Sequence, residues 1–375
     1  MKQRLQALKL SSAMINVALI CTSAVIGYAI SNVLFLILIR SGNQASGLPR
    51  SIISHLPAPL RWGYPTIGTT GTSDDIALLG DSYVEGAGDD YRNGTFRYAI
   101  THHLHQQSDL PLATFGTNGT SLTSQTQLYR RSLEGKFWPM INGRPQSAWP
   151  KRILAFIYEG NDFDNHVAEK ETGGASAHLS ALQSNRKFQP LRLFLTSKLR
   201  NSHDRSTTQE APSSTSQQRR QEVCGINYCL RVRPMQAASP SLNKQEIADS
   251  IQEMVRDLER LKTDTNANLC VIYIPSPATI YSPDSINFQQ DFLPGRPTQG
   301  TISGPDNWQR SASIRNQLIT DLQGAGIPFI DSTLPLKQKA QYHYLHGTAD
   351  QKHFNTEGNT LLASVVSKNI SRCFP

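Results

Sequence analysis

Cysteine is scarce in this sequence, with five residues among 375. No two of them have the Cys-x-x-Cys spacing of zinc or thioredoxin sites, and no second close pair accompanies Cys224 and Cys229. The sequence therefore predicts no metal site, and no cofactor is expected. The excess of positive charge, +8 in total, is spread along the chain, which argues against a nucleic-acid partner.

The cysteines themselves give three expectations. Cys224 and Cys229 lie in a polar segment, where a disulfide can form in an oxidising compartment, and free thiols remain the alternative. Cys270 lies in an apolar run and is predicted to be a small buried side chain. Cys373, close to the C-terminus, has no evident partner in the sequence.

Charged residues are absent between Ala13 and Ile39, where most side chains are apolar. A bilayer core needs about 20 apolar residues as a helix, and this run is longer. A secretory signal has an apolar region of roughly 7–15 residues and a small-residue cleavage site, but no Ala-x-Ala pattern follows here. A buried core helix rarely lacks a charged face for so long. The sequence therefore predicts an uncleaved transmembrane helix at residues 13–39.

The flanking charges predict the orientation of this helix. Lys2, Arg4 and Lys9 precede it closely, whereas Arg40 alone follows it closely. The positive-inside rule then places residues 1–12 in the cytoplasm and the rest of the chain outside, in the periplasm if the source is bacterial. Residues 40–74 are rich in Gly, Pro, Ser and Thr, which is typical of a linker. Residues 75–375 then form the exported domain.

Short apolar runs alternate with helical patterns in that domain. Strands are predicted at residues 76–80, 112–115, 153–158, 269–274 and 327–330. Helices are predicted at about residues 95–106, 124–134, 247–261, 314–322 and 356–371. Continuous apolar strands between helices indicate a parallel sheet that is covered on both faces. The expected fold is a three-layer α/β/α domain with about five parallel strands.

One stretch, at about residues 163–243, interrupts this alternation. Its middle is rich in Ser, Thr, Gln and Arg, so it is expected to be a polar, partly disordered insertion. Residues 186–233 contain ten Arg and Lys residues against three acidic ones. Two interpretations stay open: a solvated loop, or a basic lid near an anionic substrate or lipid headgroups.

A candidate nucleophile follows the first predicted strand directly, in Gly80-Asp81-Ser82. Ligands of open α/β sheets bind beyond the carboxyl ends of the strands, where Ser82 would lie. The motif is not the Gly-x-Ser-x-Gly elbow of the α/β-hydrolases, because Val84 takes the place of the last glycine.

A serine nucleophile needs a base and a group that orients the base. Asp350 and His353 stand just ahead of the last helix, and Asp331 after the last strand is a rival orienter. An oxyanion needs hydrogen-bond donors. Gly119 follows the second strand and Asn161 the third, and both could act with the N–H of Ser82.

These residues resemble the SGNH/GDSL hydrolases, whose motifs are Gly-Asp-Ser, a lone Gly, Gly-x-Asn-Asp and Asp-x-x-His. The third motif departs from the family, because Glu159 stands where its first glycine is usual. The resemblance implies a flavodoxin-like sheet and metal-free ester chemistry. It implies Ser82, Asp350 and His353 as the catalytic triad, and Ser82 N–H, Gly119 and Asn161 as the oxyanion hole. Asp81 is expected to be a structural residue of the turn.

Three functions remain open at this stage. The first is an esterase or deacylase that removes an acyl group, acetyl being favoured, from a cell-envelope glycan, a lipid or a small molecule. The second is an O-acyltransferase that moves acetyl groups onto an exported polysaccharide. The third is a non-catalytic binding module on the same fold. The expected partners are therefore an acylated substrate and, through the N-terminal helix, the membrane.

Overall fold

The computed structural model describes residues 66–69, 72–92, 99–133, 149–172, 220–290, 293 and 295–375, together with residues 23, 26–28, 30 and 31. The predicted anchor at 13–39 lies almost wholly outside the described residues, and its few described residues are helical. Among the described residues, no helix is both long and apolar enough to cross a bilayer. The membrane anchor therefore stays a prediction.

A six-stranded sheet organises the described part of the chain. Its strands are β1 (Thr66–Ile67), β2 (Ile76–Gly80), β3 (Leu112–Gly116), β4 (Arg152–Tyr158), β7 (Asn268–Ile274) and β10 (Phe329–Asp331). Their spatial order is β1-β3-β2-β4-β7-β10, and all pairs are parallel except β1 with β3. The five predicted parallel strands are confirmed. The antiparallel edge strand β1 lies in the segment that was predicted as a linker.

Helices cover both faces of this sheet. They are α1 (Ser82–Glu85), α2 (Asp89–Arg92), α3 (Ile100–Ser108), α4 (Leu122–Leu133), α5 (Asp162–Thr172), α6 (Lys244–Thr265), α7 (Pro277–Tyr281), α8 (Gly304–Gly324), α9 (Thr333–Ala340) and α10 (Thr356–Cys373). Apolar residues of α4, α5, α6 and α8 pack on one face. Those of α3, α9 and α10 pack on the other. The predicted three-layer arrangement is thus what the described residues form.

The strand β4 shows why the apolar runs fold in this way. Successive side chains of a strand point to opposite faces of the sheet. The odd-numbered residues from Ile153 to Ile157 join one core cluster, and the even-numbered residues from Leu154 to Tyr158 join the other. Both faces are covered by helices, so each residue in this run is buried. Continuous apolar character is therefore required.

Two β-hairpins stand outside the sheet. One pairs β5 (Gln221–Cys224) with β6 (Cys229–Val232), and the other pairs β8 (Ser285–Gln289) with β9 (Gln299–Ser303). The segment expected to be a polar insertion at 163–243 therefore begins inside α5 and contains the first hairpin near its end. The choice between a solvated loop and a basic lid concerns mainly residues 173–219, which lie outside the described residues.

The four cysteines among the described residues are bonded in two pairs. Cys224 and Cys229 face each other across the β5–β6 hairpin and form a disulfide. Cys270 of β7 is bonded to Cys373 at the end of α10. Cys270 is buried, as predicted, and its disulfide partner is Cys373, a pairing that the sequence did not reveal. The two residues are 103 positions apart in sequence, but α10 packs against the sheet where Cys270 lies, with a Cα–Cα distance of 5.2 Å.

Candidate active site

Ser82 is the first residue of α1, immediately beyond the carboxyl end of β2. Asp81 caps this short helix, because its Oδ1 accepts a hydrogen bond of 3.0 Å from the N–H of Tyr83. Gly86 ends the helix in a left-handed conformation, with φ at 92°. This one-turn helix holds the backbone of Ser82 at the edge of the sheet, where the side chain is 2% exposed.

Gly116, at the end of β3, leaves the space that this helix occupies. A Cβ atom on Gly116 would lie 2.6 Å from the backbone nitrogen of Glu85 and 3.0 Å from the carbonyl oxygen of Asp81. These are backbone atoms, so they could not move aside without displacing Ser82. Gly116 was not among the residues predicted from the sequence. It could have been recognised as the glycine at the carboxyl end of β3, the neighbour of the strand that precedes Ser82.

The structure brings Ser82, His353 and Asp350 together. Oγ of Ser82 lies 2.9 Å from Nε2 of His353, and Nδ1 of His353 lies 3.0 Å from Oδ1 of Asp350. The side chains of His353 and Asp350 are 12% and 8% exposed. Nε2 of His353 is therefore hydrogen-bonded to a hydroxyl, and Nδ1 lies within ion-pair distance of a carboxylate, which are the neighbours of a base and its orienter.

Asp331, the rival orienter, has other partners. Its Oδ1 accepts a hydrogen bond of 2.8 Å from the N–H of Thr333. Its Oδ2 lies 3.4 Å from Nε of Arg315. These contacts fix the start of α9 after β10. They leave Asp350 as the carboxylate at His353.

Tyr83, the residue after Ser82, packs against the ring of His353. Its ring centroid lies 5.2 Å from that of His353, and its hydroxyl donates a hydrogen bond of 2.8 Å to the carbonyl of Lys352. Burial raises the pKa of the Tyr83 hydroxyl well above its ordinary value, so this side chain is a neutral donor. It joins the nucleophile helix directly to the loop of His353.

His346 packs against the residue that follows His353. It is fully buried, and its Nδ1 is hydrogen-bonded to the hydroxyl of Tyr281 at 2.8 Å. Its ring packs on Phe354, with the centroids 4.8 Å apart. Burial lowers the pKa of His346 to about 3, and the charge of His353 acts in the same direction. The lowered pKa favours the neutral form of the His346 ring.

Two buried carboxyl groups, those of Asp81 and Asp162, lie close enough to interact electrostatically. Burial raises the pKa of Asp81 above its ordinary value, although the Tyr83 N–H and the charge of His353 oppose the shift. Burial also raises the pKa of Asp162 well above its ordinary value, and the nearby charge of Asp81 adds to the effect. Oδ2 of Asp162 accepts a hydrogen bond of 2.7 Å from the N–H of Tyr158. This bond fixes the turn in front of Asn161.

The two remaining candidates lie in the loops that follow the two strands flanking β2. Gly119 is in an exposed turn after β3, with φ at 74°. Asn161 is buried and directly precedes α5, after β4. Because β3, β2 and β4 are neighbours and parallel, the loops of Gly119, Ser82 and Asn161 stand side by side at one edge of the sheet. Their roles as oxyanion donors stay a prediction.

Carboxylates from neighbouring elements hold these loops through backbone N–H groups. Oε2 of Glu85 accepts from the N–H of Asn118 at 2.6 Å. Glu169 of α5 accepts from both the N–H and the hydroxyl of Ser121, at 2.8 and 2.5 Å. Glu85 and Glu169 therefore fix the loop of Gly119 from both sides. Sequence reasoning missed both residues.

Glu159, which departs from the Gly-x-Asn-Asp pattern, links two loops at this edge of the sheet. The side chain is completely buried, and its Oε2 accepts a hydrogen bond of 2.7 Å from the N–H of Ser276, while Oε1 contacts the hydroxyl of Thr279. Burial raises the pKa of this carboxyl above its ordinary value. Glu159 thus ties the loop after β4 to the loop after β7. Asn161 still lies at the start of α5.

No protein-family model matches the chain, and no curated protein matches it. The solved structures that resemble it at low sequence identity include the following three. A lipolytic protein of the G-D-S-L family from Desulfitobacterium hafniense is 12% identical, with 79% of this chain and 98% of that chain covered and a TM-score of 0.35. An acetylxylan esterase from Geobacillus stearothermophilus is 8% identical, with 80% of this chain and 96% of that chain covered and a TM-score of 0.36. An M. smegmatis aryl esterase is 11% identical, with 80% of this chain and 100% of that chain covered and a TM-score of 0.36. At these values we draw no functional conclusion from them.

Proposed function

We propose that this protein is a serine esterase that forms an acyl-enzyme on Ser82. The observation that carries the proposal is the pair of contacts at His353, 2.9 Å to the hydroxyl of Ser82 and 3.0 Å to the carboxylate of Asp350. A hydroxyl that contacts a base, which in turn contacts an orienting carboxylate, performs acyl transfer on unrelated folds. Ser82 comes from the segment after β2, and Asp350 and His353 come from the loop before α10.

In the proposed first step, Nε2 of His353 takes the proton of Ser82 while Oγ attacks the ester carbonyl. The negative charge that develops on the carbonyl oxygen meets the N–H of Ser82, with Gly119 and Asn161 as further donors. The intermediate then collapses as His353 returns the proton to the leaving alcohol. Water repeats the sequence on the acyl-enzyme and releases the carboxylic acid. Asp350 holds the Nδ1 proton and stabilises the imidazolium throughout.

We further propose an acetyl ester of a cell-envelope glycan or lipid as the substrate, with the enzyme tethered to the membrane by residues 13–39 and its catalytic domain outside. Two features support an exported domain. The uncharged run between Ala13 and Ile39 is long enough to span a bilayer, and the two disulfides are typical of oxidising compartments. Deleting residues 1–39 should move the protein from the membrane fraction to the soluble fraction with the same specific activity on a small aryl ester.

The activity is tested by acetate release. Full-length protein in detergent is incubated with p-nitrophenyl acetate and with a panel of acetylated polysaccharides and lipids. Wild type should release acetate, and Ser82→Ala should lose on the order of 10⁴–10⁶ in kcat. Ser241→Ala, whose hydroxyl bonds only the carbonyl of Pro297 among the contacts described, serves as the matched control. Equal acetate release by Ser82→Ala would refute the proposal.

An O-acyltransferase shares the acyl-enzyme, so the same experiment separates the two functions. Each reaction is repeated with an unacetylated glycan acceptor. Acetyl groups that appear on the acceptor at the expense of free acetate would identify transfer rather than hydrolysis. Water as the acceptor should instead give the same acetate yield with and without the glycan.

A further inference from the structure

Asp89 makes contacts in the site that the mechanism above does not use. It begins α2, a short distance along the chain from Ser82. Its Oδ2 accepts hydrogen bonds from the N–H groups of Thr348 and Ala349, at 2.6 and 3.2 Å. Its Oδ1 accepts from the N–H of Asp350 at 2.7 Å. Three successive N–H groups that converge on one anion form a nest, a backbone arrangement that favours negative charge.

The loop that provides this nest is closed on itself. The N–H of Gly347 donates to the carbonyl of His353 at 3.0 Å, and the N–H of His353 lies 3.3 Å from the carbonyl of Asp350. The short loop from Gly347 to His353 thus contains Asp350 and ends at His353. Asp89 occupies the concave side of its first half, and the three N–H groups have the carboxylate as their acceptor.

Gly347 leaves the space that Asp89 needs. A Cβ on Gly347 would lie 2.6 Å from both Cγ and Oδ1 of Asp89, and 2.8 Å from the carbonyl oxygen of Asp350. A side chain at this position would therefore push the carboxylate out of the nest or move the backbone of Asp350. The close approach indicates that the loop is built around this carboxylate.

We infer that Asp89 is a positioning residue that fixes the Asp350–His353 loop against the nucleophile segment. This inference rests on the proposed function. Ser82 and Asp89 belong to one short stretch of chain, so the carboxylate links the backbone of the nucleophile to that of the orienter. Asp89 acts through Asp350 and His353 and contacts no reacting atom. Positioning errors of about 1 Å can cost 10²-fold in rate, which sets the size of the expected effect.

The test compares Asp89→Ala, Asp89→Asn and the neighbouring control Asp90→Asn in the full-length protein. Oδ2 of Asp90 accepts from the hydroxyl of Thr356 at the start of α10, so this control removes an adjacent charge without touching the nest. Asp89→Ala should lower kcat by about 10²-fold while KM changes little, because ground-state binding of the ester is not its task. Asp89→Asn should fall between wild type and Asp89→Ala. It keeps one acceptor oxygen but turns an NH₂ group towards an N–H.

Chemical rescue distinguishes positioning from general loss of structure. Formate is a carboxylate small enough to refill an anion nest, and it should partly restore kcat in Asp89→Ala. Sodium chloride at the same ionic strength should not do so. If Asp89→Ala fails to fold, Asp89→Asn decides, with its thermal midpoint compared with that of Asp90→Asn.

Three outcomes would overturn the inference: an unchanged kcat in both Asp89 variants, a rise in KM at constant kcat, or an equal loss in Asp90→Asn. Failure of formate to rescue Asp89→Ala would also count against it. These results differ from a failure of the proposed function, which would appear as activity that survives Ser82→Ala in the wild-type Asp89 background.

Discussion

The hydroxyl of Ser82 is hydrogen-bonded to the carboxyl group of Asp81, with 3.0 Å between Oγ and Oδ2. The same Oγ lies 2.9 Å from Nε2 of His353. A serine hydroxyl has one hydrogen to donate, so it can serve only one of these acceptors. Both contacts can be hydrogen bonds at the same time only if Asp81 or His353 carries a proton and donates it to Oγ of Ser82. The pKa of Asp81 is raised, mainly by burial, and a protonated Asp81 would donate to Oγ and leave the serine hydrogen for His353.

This relationship predicts that Asp81→Asn retains activity. The amide can donate to Oγ of Ser82 and accept from the N–H of Tyr83, so the serine hydrogen still points at His353. We expect kcat within about tenfold of wild type, whereas Asp81→Ala also loses the helix cap, which is worth about 0.5–2 kcal/mol of stability. Steady-state kinetics and urea unfolding of both variants check this. Asp81→Asn that is as inactive as His353→Ala would mean that Asp81 itself carries the catalytic proton.

Asp350 and His353 should behave as one unit. Asp350→Asn should lower kcat by about 10⁴-fold, because the amide favours the wrong imidazole tautomer. His353→Ala should lower it at least as much, since the proton then has no carrier. The double mutant should be scarcely worse than His353→Ala. Losses that multiply in the double mutant would show that Asp350 acts separately from His353.

Asp162 predicts how stability depends on pH. Burial raises its pKa in the folded state above the unfolded value, so its stabilising contribution is complete below the unfolded pKa. That contribution is lost as pH rises through the folded pKa. Asp162→Asn keeps an oxygen for the N–H of Tyr158 and removes the titration. From about pH 4 upwards, its free energy of unfolding should therefore fall less with pH than that of wild type.

Urea unfolding at several pH values measures this dependence. Asp249→Asn, on the exposed face of α6, is the matched control and should follow the wild-type curve. Parallel curves for Asp162→Asn and wild type would show that Asp162 is ionised equally in the folded and unfolded states.

The Cys270–Cys373 disulfide should contribute much of the stability of the domain. It closes a loop with a sequence separation of 103 residues, and the chain-entropy estimate for a loop of that length is about 4–5 kcal/mol. The double variant Cys270→Ala/Cys373→Ala should lose stability of that order in urea unfolding. Cys224→Ser/Cys229→Ser opens a separation of 5 residues and should lose less. Intact mass with and without reductant confirms the bonds, and equal losses in the two double variants would contradict the loop-length argument.

The sequence predicted the residues whose chemistry is local in the chain. Ser82 follows its strand directly, and Asp350 lies three positions before His353, so motif and spacing were enough to predict that these side chains meet; their catalytic roles stay a prediction. The five parallel strands were predicted because both faces of the sheet are covered, which requires continuous apolar runs.

The missed residues act across long separations in the chain. Asp89, Glu85 and Glu169 accept hydrogen bonds from backbone N–H groups of distant loops, and a backbone donor leaves no mark in the sequence. The Cys270–Cys373 bond was missed for the same reason, because only the packing of α10 brings the two residues together. The β5–β6 hairpin has few buried apolar residues, Val223 and Val232, which is too little for a recognisable alternation.

The most direct test of the central claim is covalent labelling of the full-length protein with a fluorophosphonate, followed by peptide mapping. The reagent phosphonylates an activated serine and loses fluoride. Wild type should acquire one adduct on the peptide that contains Ser82, Ser82→Ala should acquire none, and His353→Ala should react far more slowly. An adduct on a different serine, or labelling that persists in Ser82→Ala, would contradict the assignment of Ser82 as the nucleophile.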